Sequence, residues 1–108
     1  MKFLLSFVIF YTLAVSAHAA VYWTGWLDRD NPSGTGDWET YNSFKPRPCR
    51  AGYRPLGANC RVKHTYQPWY AANQNIALQC TSGGFVCKNS DNTQYCKDYE
   101  IQFRCYRR

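Results

Sequence analysis

Six cysteines, Cys49, Cys60, Cys80, Cys87, Cys96 and Cys105, constrain this 108-residue chain more than anything else in it. All lie in its C-terminal two-thirds, and their number is even. The chain opens like a secretory signal peptide over residues 1–19, with a charged Lys2, an apolar run over 3–15 and a small-x-small Ala17-His18-Ala19. That run is well short of the ~20 residues a membrane span requires. The expectation is a secreted chain whose residues 20–108 form one domain. An even cysteine count in a short secreted chain reads as three disulfides, with fifteen possible pairings. A domain of roughly 90 residues buries only a modest core. Each bridge then adds about 2–4 kcal/mol by restricting the unfolded chain. Zinc is a poor alternative, because no two cysteines are spaced Cys-x-x-Cys and His64 is the one histidine beyond residue 19.

Periodicity points to strands. Tyr99, Ile101, Phe103 and Cys105 alternate with Glu100, Gln102, Arg104 and Tyr106, the pattern of a half-buried strand. Residues 61–66, 76–81 and 85–87 carry weaker strand character, 20–27 reads as a strand or an extended arm, and 37–41 returns the chain toward the scaffold. Turn chemistry separates them at Asn31-Pro32-Ser33-Gly34-Thr35-Gly36 and at Gly83-Gly84. The predicted class is all-β, small and disulfide-rich: a compact twisted sheet or small sandwich with long ordered loops and little helix.

The segment from Trp23 to Thr40 holds three of the four tryptophans and four of the seven acidic residues. Asp28 and Asp30 precede the turn, and Asp37 and Glu39 follow it. Such carboxylates either pair with some of the lysines and arginines, twelve beyond residue 19 (13 less Lys2), or cap turns, or converge on a hard cation. An EF-hand count from Asp28 to Glu39 fails, since Pro32 replaces a ligand and Ser33 the required glycine. Trp23-Thr24-Gly25-Trp26 matches the acceptor pattern for C-mannosylation at Trp23, and Trp26 is expected to pack in the core. The formal net charge, +6 for the whole chain and +5 once Lys2 is lost, either makes an ordinary solvated surface or attracts anionic extracellular partners; nucleic acid is a poor candidate, since no recognition motif is present. With one mature histidine, no nucleophile motif and no sugar cleft implied by the carboxylates, no enzyme is expected. Trp69 and Tyr70, with Tyr53 and Tyr66, are candidate contact residues, because such rings offer large area at low entropic cost.

Trp23-Thr24-Gly25-Trp26-Leu27-Asp28-Arg29-Asp30-Asn31-Pro32 and Gly36-Asp37-Trp38-Glu39-Thr40, followed by Cys87-Lys88-Asn89 and Cys96-Lys97-Asp98-Tyr99-Glu100-Ile101, resemble the WxxW domain family. That module, also called CysD, occurs in gel-forming mucins and cartilage intermediate layer protein. The extra cysteines that mucin modules carry near both ends are absent here. The resemblance implies the pairing Cys49 with Cys105, Cys60 with Cys80 and Cys87 with Cys96. It also implies a calcium ion near the acidic loop, for which Asp28, Asp30 and Asp37 are the expected ligands, with Asn89 and Asp91 supplying oxygens from across the fold. The expected function is a non-catalytic extracellular matrix or mucus-type module. It would act by self-association or by binding extracellular proteins or anionic glycans. A calcium-dependent lectin-like defence protein is the alternative, and a secreted toxin or antimicrobial a weaker one, since no basic amphipathic helix is present.

Overall fold

A computed structural model describes residues 20–107; the expected signal peptide lies outside the described residues. Six strands form two antiparallel three-stranded sheets. Strands β1 (Val21–Trp23), β6 (Tyr99–Tyr106) and β3 (Arg54–Val62) make the first, in that order. Strands β2 (Gly36–Thr40), β5 (Gly84–Lys88) and β4 (Leu78–Thr81) make the second. Helical structure among the described residues is confined to short 3-10 turns such as Trp69–Ala71 and Asn89–Asp91. None is long and apolar enough to cross a membrane.

Strand β6 is the central strand of its sheet and follows its sequence pattern. Tyr99, Ile101, Phe103 and Cys105 are fully buried, while Gln102, Arg104 and Tyr106 on the other face are at least partly exposed and Glu100 there is buried. Large side chains of this kind are worth about 1.5–3 kcal/mol each when buried. They meet the second sheet through Phe85, whose ring lies 4.6 Å from that of Tyr99, while Tyr41 stands edge-on to Phe103 at 5.1 Å. The bridges are Cys49–Cys105, Cys60–Cys80 and Cys87–Cys96, the pairing the resemblance implied. Cys60–Cys80 joins the two sheets directly, since it links β3 to β4.

Two sequence expectations shift. The strand expected over 61–66 ends at Val62, because its partner β6 begins opposite it at Tyr99. Beyond that point the chain turns: Val62 N–H donates to Gln67 O at 2.8 Å, and Tyr66 takes a left-handed φ of 62°. The strand instead extends backwards to Arg54, through Pro55 and Gly57. An edge position with a register shift between them tolerates both residues. Trp26 is the second correction. Three residues, Thr24 to Trp26, bulge between the Trp23–Arg104 and Leu27–Ile101 pairings. Leu27 therefore packs on the core, while Trp26 lies against the outer side of β3 over the Arg61 guanidinium, 3.8 Å away.

Candidate metal centre and aromatic cleft

Strand alternation in β2 turns Asp37 and Glu39 to the same side, and both are fully buried. The preceding loop brings Asp28 down beside them, so that one carboxylate oxygen from each of the three lies within 4.8 Å of the others. Asp98, the residue before β6, lies close enough to Asp37 and Asp28 to repel both. Glu39 is fixed by the loop backbone: Arg29 N–H donates to its Oε2 at 2.7 Å and Asp30 N–H to its Oε1 at 2.9 Å. Asp37 Oδ2 accepts from Tyr99 N–H at 2.7 Å, which ties β2 to β6.

Two oxygens are left over. Asp37 Oδ1 and Asp98 Oδ1 are buried and accept no hydrogen bond. The nearest cation is Lys63, whose Nζ sits 2.7 Å from Asp28 Oδ2 on the exposed side. Burial pushes the Asp37 carboxyl up to about 7, with Asp98 and Asp28 adding repulsion. Burial pushes Glu39 higher still, to about 10, with Asp37 adding to the effect. Asp98 is raised for the same reasons, burial first and then Asp28. Glu39 is nevertheless held by two N–H donors, an arrangement suited to the charged form. The group is thus a set of hard oxygen donors short of positive charge, and it fits a dication chemically.

Of the expected ligands, Asp28 and Asp37 come together here, joined by Glu39 and Asp98. Asp30 does not: its Oδ2 accepts from Trp38 N–H at 3.0 Å and its Oδ1 from Asn31 N–H at 3.0 Å. Asn89 is also committed elsewhere, with Oδ1 accepting from Cys96 N–H at 2.7 Å and Nδ2 donating to Gly34 O at 3.1 Å. It clamps the Pro/Ser/Gly turn and leaves the ion group alone. Asp91 is exposed, and its backbone carbonyl accepts from Asn75 Nδ2. The signal for Glu39 was available in the sequence, two residues from Asp37 and so on the same face. No local signal marks Asp98, 61 positions along.

A second feature adjoins this group through β3. Arg61, two residues before Lys63, has its guanidinium over both the Trp26 ring at 3.8 Å and the Tyr66 ring at 4.1 Å. Its Nε donates to Glu100 Oε2 at 2.6 Å. These rings, with Asn59, Trp69 and Tyr70, line an open cleft of about 310 Å³. Trp69 stands on Phe85 with ring centroids 6.1 Å apart, and Tyr70 packs edge-on against it at 5.8 Å, 74% exposed. Trp23, in β1, is 45% exposed.

Fold and site together define a small, cystine-braced, two-sheet β module with a buried acidic group beneath a Trp-x-x-Trp rim. The family described as Mucin-2 protein WxxW repeating region matches residues 23–105. The chain belongs to that family. It is similar to cartilage intermediate layer protein 2 of Homo sapiens, 33% identical over 87 residues that cover 77% of this chain and 7% of that protein. The Mus musculus protein of the same name is 32% identical over 87 residues, with the same coverage. The chain therefore spans only 7% of the length of these relatives.

Proposed function

We propose that the protein is a secreted, non-catalytic module of an extracellular matrix or mucus. On this reading it works by engaging other macromolecules or further copies of itself, and calcium holds its rim in shape. The observation that carries the reading is the convergence of one carboxylate oxygen each from Asp28, Asp37 and Glu39 within 4.8 Å, with buried, unpartnered oxygens left on Asp37 and on the neighbouring Asp98. An all-oxygen donor set suits calcium, which takes 6–8 oxygens in flexible geometry, and argues against zinc, which favours sulfur and nitrogen. Asp28, Asp37, Glu39 and Asp98 are the residues that would hold the ion. A bound dication supplies the charge that offsets the repulsion among these acids. It would thereby fasten the Trp-x-x-Trp segment to β2 and β6. A fastened surface loses less entropy when it meets a partner. The cleft with Trp69, Tyr70, Trp26 and Tyr66 is the contact surface of this reading. The accessible Trp23 is its candidate C-mannosylation site, recognisable as one added hexose in the intact mass.

Calorimetric titration of chelator-stripped protein tests the ion. One calcium per chain is expected, with a dissociation constant on the order of 10⁻⁴–10⁻³ M, as in other extracellular modules. The Asp37→Asn variant is expected to lose it. Absence of binding heat at millimolar calcium overturns the calcium reading. For the contact surface, Tyr70→Ala is expected to weaken concentration-dependent self-association seen by sedimentation. Calcium-dependent hits on a glycan array, without self-association, would put the lectin-like alternative in its place.

A further inference from the structure

The far end of the β1-β6-β3 sheet carries a different chemistry. There Arg50 lies over the Tyr22 ring at 4.4 Å, and its N–H donates to the Tyr22 hydroxyl at 2.7 Å. Tyr22 stands edge-on to Tyr53 at 5.1 Å, and Arg107 lies over Tyr53 at 5.1 Å. Arg54 pairs in register with Tyr106, and Arg54, Tyr106, Arg107 and Gly52 enclose a notch of about 200 Å³. Arg104, two residues before Tyr106, shares the outward face with both. Ion pairs among the described residues are Arg29–Asp30, Arg61–Glu100 and Lys63–Asp28. Arg50, Arg54, Arg104 and Arg107 thus have no described carboxylate partner. Asp28, Asp37, Glu39 and Asp98 lie toward one end of the sheet and these four arginines toward the other.

We infer that this arginine notch is a binding site for sulfated glycan chains. Guanidinia stacked on tyrosine faces are held in place before any ligand arrives, so less side-chain entropy is lost on binding. Their donors form a fork that matches the oxygens of a sulfate ester. The notch falls below the roughly 300–1,000 Å³ of a pocket for a whole small molecule. It suits one anionic group, and Arg104 and Arg50 beside it suit a polymer that repeats that group. The inference deepens the extracellular reading and rests on it for the choice of a glycan polymer; it is independent of calcium.

The test is retention and affinity of the whole protein on heparin, in calcium and in chelator, with fully desulfated heparin as comparison. Replacing Arg50, Arg54 and Arg107 together by Gln is expected to lower heparin affinity at least tenfold. The slope of log affinity against log salt should shrink by roughly 2–3. A control that replaces Lys45, Lys88 and Lys97 by Gln removes the same charge elsewhere and is expected to leave most of the binding. Unchanged far-ultraviolet spectra and melting show that both triples fold. Equal loss in the two triples, or equal retention on desulfated heparin, overturns the site. Single-stranded DNA of matched charge binding as tightly as heparin overturns the sulfated glycan as its ligand. A loss of calcium binding with heparin retention intact bears on the metal reading alone.

Discussion

Asp37 concentrates the physics of this protein in one side chain. Its carboxyl sits at about 7 in the fold against an ordinary 3.8, because burial disfavours the charge. Between those values the folded chain holds a proton that the unfolded chain has released. Its contribution to stability is therefore complete below 3.8 and is lost as pH rises through the folded value. Glu39 acts in the same direction. Chelator-treated protein is thus expected to melt at a higher temperature at pH 5 than at pH 8, and calcium is expected to remove most of that difference. Equal melting at both pH values without calcium would show that the two carboxyls titrate normally. Lys63 gives a second residue-scale prediction. Its ammonium would compete with the proposed dication for Asp28, so Lys63→Gln is expected to raise calcium affinity roughly three- to tenfold in a calorimetric titration.

At the scale of the element, β2 is seated by two glycines. Gly36 has φ +144°, and a Cβ there would meet Cys87 O at 2.0 Å; Gly84 has φ +122°, and a Cβ would meet Glu39 O at 2.5 Å. Both lie where β2 and β5 close on each other, at the Gly36–Lys88 and Thr40–Gly84 pairs. Gly36→Ala is expected to cost more than about 3 kcal/mol in chemical denaturation, since backbone must move. Gly34→Ala, with φ +61° and open space around it, is expected to cost only about 1 kcal/mol. Similar losses would mean that left-handed backbone, and not the close approach to β5, decides both. β6 shows the opposite case, an element whose sequence carries its own geometry. Its alternation names the four fully buried side chains correctly, because a strand with one face on the core cannot slip by one residue without exposing all of them; Glu100, on the other face, is buried as well, held by Arg61. β3 was harder to read: its Pro55 and Gly57 look like punctuation and are tolerated only through its edge position and bulge.

For the whole molecule, the bridges set how far a break propagates. Cys49–Cys105 closes a separation of 56 residues and Cys60–Cys80 one of 20. Chain entropy alone assigns them roughly 4 and roughly 3 kcal/mol. Cys49 and Cys105 are also both buried. Replacing that pair by Ala is expected to prevent accumulation of folded protein, whereas the Cys60/Cys80 double replacement is expected to fold with reduced melting temperature; comparable yields would refute the ranking. The strand-rich class, the presence of three disulfides and the acidic character of the loop between Trp23 and Thr40 were all determined by the sequence, because each follows from residue type and short-range pattern, whereas the pairing of the cysteines came only with the family resemblance. Kinship with the WxxW family was legible there too, in the order of its motifs. The tertiary structure alone decided which acids meet. It turned Asp30 and Asn89 onto backbone partners, brought Asp98 from the distant entry to β6 to Asp37, and laid Trp26 on Arg61 outside the core. Those choices depend on how two sheets pack and where a bulge falls, and such long-range geometry leaves no periodic trace in the chain.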